Sequence, residues 1–179
     1  AALAQGFLSV SFSAFWSTLA VMLLEHYHLG SAVAGTFGIA GAAGALAAPL
    51  AGGLADKVGA SRVTQLGALL VTVAFALMFV MPLLSTEAQL VVIALSAIGF
   101  DLGLQSSLVA HQNLVYSLEP KARGRLNALL FTVVFIGMAA GSALGSKVYS
   151  MAGWPAVVAL ATVCGVIALA IRLRAGQMH

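Results

Sequence analysis

Charge is what this sequence has least of. Of its 179 residues, only 8 are Lys or Arg and 5 are Asp or Glu, 7% in all. A soluble globular domain carries about a quarter of its residues as charges. With 61% hydrophobic residues and a mean hydropathy of +1.07, so short a chain cannot hide its apolar surface from water, because small domains have too much surface for their volume. A water-soluble fold is excluded, and lipid is the solvent that remains. Cysteine is nearly absent too. Cys164 stands alone, so no internal disulfide is possible, and in VVALATVCGVIALAI it reads as a small apolar filler. The basic excess is slight, with a net charge of +3 and a pI of about 9.4. The basic residues are few and scattered between apolar runs, so nucleic acid is not the expected partner. No metal and no cofactor is called for. The first residues, AALAQGF, include neither a Met nor a charged segment. They read as the truncated start of a helix rather than a signal peptide, and the chain is expected to be a fragment.

What the sequence has in abundance is apolar runs. Crossing a bilayer as a helix takes roughly 20 apolar residues, and six runs qualify: 2–24, 32–54, 63–84, 90–115, 126–146 and 155–173. A membrane barrel would need alternating strands instead of continuous runs. Lipid also forbids unpaired backbone, so the spans must be helices. The expected fold is an all-α membrane protein, a bundle of six transmembrane helices forming one domain over residues 1–179.

The connections EHYHLGS, ADKVGASR, STEAQ, YSLEPKARGR and KVYSMAGW are too short to recross the membrane, so consecutive helices run antiparallel. Lys57 and Arg62 then fall on one side with Lys121, Arg123, Arg125, Arg172 and Arg174, while only Lys147 falls on the other. The excess of basic residues marks the cytoplasmic side. Both termini and the second connection are therefore expected in the cytoplasm.

That connection is unusually dense: GGLADKVGASRV, residues 52–63. Gly52 and Gly53 suit the end of a helix, where a left-handed cap costs glycine little, and Gly59 suits the turn that follows. Asp56 can pair with a nearby Arg or accept backbone N–H groups at a helix start. An ordinary polar turn explains each residue but not their order. The order resembles the loop signature of the major facilitator superfamily, G-x-L-A-D-R/K-x-G followed by a basic pair. Gly52, Leu54, Ala55, Asp56, Lys57 and Gly59 match it; Ala60 and Ser61 replace the basic pair, with Arg62 one step later. The signature lies between the second and third spans, where the family has it. A second match, EPKARGRLNALL at residues 119–130, is similar to the family's P-x-x-R-G-R segment entering a fifth helix and contains Arg123 and Arg125.

The resemblance covers the whole chain yet implies only half a transporter. Members usually have twelve helices in two six-helix halves, each an inverted three-plus-three repeat; no identity between the first and last three helices is evident here. The decayed basic pair is similar to the C-terminal half of bacterial drug:proton antiporter-like members. So is the fifth helix, FTVVFIGMAAGSALGS, which lacks the Gly-Pro antiporter motif. The resemblance implies secondary active transport of a small solute by alternating access, as efflux across the bacterial inner (plasma) membrane; coupling to protons is expected from Asp101 alone. The implied partners are the lipid bilayer, the small-molecule substrate, and either a missing N-terminal six-helix half or a second copy of this chain.

Individual helices suggest where such a function would sit. Gly137, Gly141 and Gly145 repeat every fourth residue in the fifth helix, and Gly35, Gly38, Gly41 and Gly44 crowd the second. Small residues at this spacing let helix backbones approach closely. They serve packing inside the bundle or, as the resemblance implies, the interface with another half. The third and sixth helices show no polar stripe and are expected to face lipid. In the first, Gln5, Ser9, Ser13 and Ser17 recur at four-residue steps beside Phe12, Phe15 and Trp16. The serines either bond their own helix carbonyls or, with Trp16, form the wall of a substrate cavity. The fourth helix carries Asp101 near the bilayer midplane, with Gln105 and Gln112 within about 40° of it at 100° per residue. A carboxylate in the membrane is costly and must find polar company, which makes Asp101, Gln105 and Gln112 the leading substrate and proton-pathway residues. Its plainer role is a hydrogen bond to a neighbouring helix. His111 is expected in the wet interface at the cytoplasmic end.

Two other readings compete. One is a natural six-helix half-transporter, or a channel, acting as a homodimer. The other is an intramembrane protease, which needs a buried nucleophile and base in register. Ser142 and His111 lie on different helices at different depths and no G-x-S-G is present, so no enzyme is expected.

Overall fold

In the structure, a computed structural model, residues 1–46 and 48–178 are described. The helices are α1 (Ala2–Tyr27), α2 (Ser31–Ala45), α3 (Ala48–Val58), α4 (Ala60–Ala76), α5 (Thr86–Leu118), α6 (Arg123–Ala152) and α7 (Trp154–Gln177). Tighter 3-10 turns at Leu77–Leu83 and Pro120–Ala122 complete the third span and lead into the fifth. Six crossings are long and apolar enough to span a membrane, with α2 and α3 together forming the second. Among the described residues there is no strand. The six-helix bundle expected from the apolar runs is the fold observed.

Each helical segment is longer than the apolar run that announced it. Apolarity ends where lipid ends, but a backbone already in helical register keeps gaining hydrogen bonds into the interface. α1 thus continues through Glu25, His26 and Tyr27. It closes where His28 turns left-handed (φ 55°) and the N–H groups of His28 and Leu29 return to the carbonyls of Leu24 and Leu23. The correction is largest at residues 52–63. Gly52 and Gly53 do not cap a helix but lie inside α3, which runs on to Val58. Glycine inside a helix costs about 1 kcal/mol relative to alanine, whereas an unpaired backbone group at membrane depth costs several, so the helix continues. The turn is made by Gly59 alone, at φ 91°. Gly153, at φ 75°, makes a matching one-residue connection from α6 to α7. In the third span Pro82 cannot donate to the ladder, and the chain tightens there into the 3-10 turn. Gln89 ties down the end of this turn, donating to Met81 O at 2.8 Å and Leu84 O at 3.2 Å, while Tyr27 donates to its Oε1 at 2.6 Å.

α1 and α5 occupy the middle. α1 packs on α6 and α7, and α5 packs on α4 and on the α2–α3 pair; α4 and α7 touch at the back. This pattern is unchanged when spans one to three are exchanged for spans four to six, which is the pairing expected of an inverted repeat. The glycine stripes obey the same exchange. A Cβ on Gly141 would stand 2.9 Å from Val10 Cα and 3.0 Å from Ser13 Cβ, and one on Gly145 2.8 Å from Ala14 Cα. Those glycines are therefore spent against α1 of the same chain. A Cβ on Gly44 would likewise lie 2.8 Å from Leu102 N on α5. Gly35 and Gly38 have nothing within 4 Å and remain open to whatever covers α2.

At the centre is an aromatic core. Phe75 stacks on Phe100 (centroids 4.7 Å apart, 13° between planes), and Phe15 meets Phe100 edge-on at 4.8 Å. Phe15, grouped by sequence with a cavity wall, is only 1% exposed and belongs to this core.

Candidate functional site

Asp101 lies midway along α5, is 7% exposed and faces α2. The contact depends on glycine. A Cβ on Gly41 would meet Asp101 Oδ2 at 2.8 Å and Trp16 Cζ2 at 2.7 Å, and one on Gly44 would meet Asp101 Cβ at 2.9 Å. Carboxylate and indole thus share a niche formed by α1, α2 and α5. Gln105, one turn on, is half-buried on the same face of α5. Phe12 and Phe100 flank the indole edge-on at 6.3 and 6.1 Å.

Gln112 does not join this group. Its Nε2 donates to Asn127 Oδ1 on α6 at 3.2 Å, and Tyr116 donates to the same oxygen at 2.8 Å. Asp101 and Gln112 share a face of α5 but lie about 16 Å apart along it at 1.5 Å per residue. Crossing neighbours replace one another over that distance. Ser9 is buried, donates to Gln5 O at 2.8 Å and abuts Gly137; Ser13 is half-buried against Gly141. Trp16 is half-buried, with its Nε1 enclosed and unpartnered. Leu54, Asp56, Lys57 and Arg62 are exposed around the Gly59 turn, and Arg123 and Arg125 are exposed at the start of α6.

Two polar groupings escaped the sequence reading. His111 is not in the wet interface: it is 0% exposed. Its Nδ1 lies 2.9 Å from Gln5 Oε1 on α1 and 3.2 Å from Ser107 Oγ, while Gln5 Nε2 donates to Leu104 O at 3.4 Å. An N–H on Nδ1 fits the Gln5 oxygen, which leaves Nε2 a buried acceptor without a partner. The Ser107–His111 spacing of four on a buried face is the signal that could have located it. The second grouping joins α7 to α4. Arg172, 6% exposed, donates from Nε to Thr64 Oγ1 at 2.9 Å and from a terminal nitrogen to Ser61 Oγ at 3.4 Å. Gln65 donates to Arg172 O at 3.2 Å. The two plainest helices are therefore stitched by polar contacts at one end. Replacing Arg172 by Met keeps the aliphatic stem and removes these bonds. It is expected to lower stability by about 1–3 kcal/mol, read as a lower unfolding midpoint in detergent.

Six membrane-crossing helices in two exchangeable triplets, with a carboxylate held at a helix junction, define a polytopic integral membrane protein. The chain belongs to the Major Facilitator Superfamily, whose sequence model matches residues 1–176. It is 35% identical over 171 residues to "Probable transporter SCO4007" of Streptomyces coelicolor, covering 90% of this chain and 37% of that protein. It is 31% identical over 148 residues to "Uncharacterized transporter YgaY" of Escherichia coli O157:H7, covering 82% of this chain and 36% of the relative. The chain thus spans little more than a third of the length of these relatives.

Proposed function

We propose that this chain forms one six-helix half of a secondary active transporter that moves a small solute by alternating access, in the direction of efflux, coupled to protons. The observation that carries the reading is Asp101, a buried carboxylate midway along a spanning helix, held by Gly41 and Gly44 beside Trp16. A carboxylate at such a place is functional by default. A carboxyl able to bind and release a proton at a helix junction can make the junction's packing depend on its proton. The other half, with α2 and α6 as the facing helices, completes the substrate path. In support, the spans that contain α2 and α6 are the least buried of the six, with Ile39, Leu129, Phe135 and Ile136 uncovered.

The test is flux by the full-length protein reconstituted in liposomes. An imposed proton gradient is expected to drive solute movement that an uncoupler abolishes; movement indifferent to the gradient would remove the coupling. The orientation is tested separately. From the bias of basic residues, the proposal puts both termini and residues 52–63 on the cytoplasmic side of a bacterial inner membrane. Ala60→Cys should therefore react with an impermeant thiol reagent only after the cells are opened. Labelling from outside intact cells would reverse the topology.

A further inference from the structure

Beside the Gly59 turn, on the flank away from the Asp101 niche, a groove of about 540 Å³ runs between α3, α4 and α7. Three helical faces converge on it: Leu54 and Val58 from α3, Leu66 and Leu69 from α4, Leu169 and Leu173 from α7. Arg62 lines the same groove, one turn before Leu66 and on the same face of α4. It is exposed and has no carboxylate partner among the described residues. Gln65, the other polar lining residue, is already engaged with Arg172 O. The groove is thus an apolar channel with one uncommitted cation at its rim.

We infer that this groove binds a membrane phospholipid with an anionic headgroup, its phosphate at Arg62 and an acyl chain laid along α4 between α3 and α7. Basic pockets between spanning helices on the cytoplasmic side suit such headgroups, and the proposed orientation puts Arg62 on that side. Apart from Arg62 and Gln65 the lining is wholly apolar, which suits an acyl chain with a headgroup at one end. An acyl chain is slender enough to enter. The arginine supplies the bidentate donor geometry that phosphate prefers.

The test uses full-length protein in detergent, delipidated and then offered phosphatidylglycerol or phosphatidylcholine. Lipid retained is read by native mass spectrometry and stability by the unfolding midpoint. Phosphatidylglycerol is expected to be retained preferentially and to raise the midpoint. Arg62→Gln should cut its retention about fivefold, the worth of one basic residue at an anionic surface. Leu66→Trp, which fills the groove and keeps Arg62, should cut it as well, whereas Arg123→Gln on the other basic loop should not. Unchanged retention in Leu66→Trp would overturn the proposal, as would equal loss in Arg123→Gln or equal stabilisation by inorganic phosphate alone. Should Arg62→Gln fail to fold, Leu66→Trp decides.

Discussion

Replacing Asp101 by Asn in the full-length protein is expected to reduce proton-driven flux to the level of protein-free liposomes while leaving gradient-independent exchange of solute intact. The two side chains have nearly the same shape, so the Asn fits the niche between Gly41, Gly44 and Trp16. What it loses is the ability to take up and release a proton. A carrier locked in one protonation state can still cycle with substrate on both sides, because exchange needs no net proton movement. It cannot convert a gradient into accumulation. Retention of full gradient-driven flux would eliminate the coupling role. Loss of folded protein would instead identify the carboxyl as a structural hydrogen bond.

Gly141→Leu is expected to prevent native packing of the six-helix bundle itself, before any partner is involved. The first carbon of a new side chain at Gly141 already collides with the backbone of Val10, 2.9 Å from its Cα, and stands 3.0 Å from Ser13 Cβ. Backbone cannot yield as a side chain can, so α1 and α6 must separate along their longest contact. Overpacking a tight core costs about 1–3 kcal/mol for added methylenes, and a full leucine against backbone exceeds that range. A collapsed unfolding midpoint in detergent, with membrane insertion preserved, is the reading. The opposite sign is expected at Gly53, inside α3 with nothing within 4 Å of a Cβ. Gly53→Ala should stabilise by about 0.5–1 kcal/mol through reduced backbone entropy in the unfolded chain. Two glycine substitutions of the same sign would refute the packing argument.

The spans were legible because lipid admits few backbone solutions, and a run such as residues 63–84 can satisfy itself only as a helix. Their alternation followed from connections too short to recross the bilayer. The ends were less legible. The glycines at 52 and 53 looked like terminators by propensity, yet the cost of unpaired backbone outweighed it. Residues that meet across distance were hidden altogether. Gln5 and His111 are 106 positions apart; the Ser107–His111 spacing could mark a buried face, but no local pattern names Gln5 as the partner. The length of α5 adds to the difficulty. With its helix running to Leu118, His111 lies two turns inside rather than at the rim. Gln112 shows the converse: helical phase correctly predicts its face but not its neighbour, since the helices cross.

The one-residue connectors constrain how such a bundle can move. Gly59 joins the second and third spans at one membrane face, and Gly153 joins the fifth and sixth at the other. Neither link can lengthen, so the helices on either side cannot slide past one another or part at that end. They can only swing, and the swing is amplified with distance. For the 17 residues of α4, a tilt of about 10° about Gly59 displaces the far end by roughly 4 Å at 1.5 Å per residue. Each glycine is thus a fulcrum fixed at one surface, whose lever opens at the opposite one.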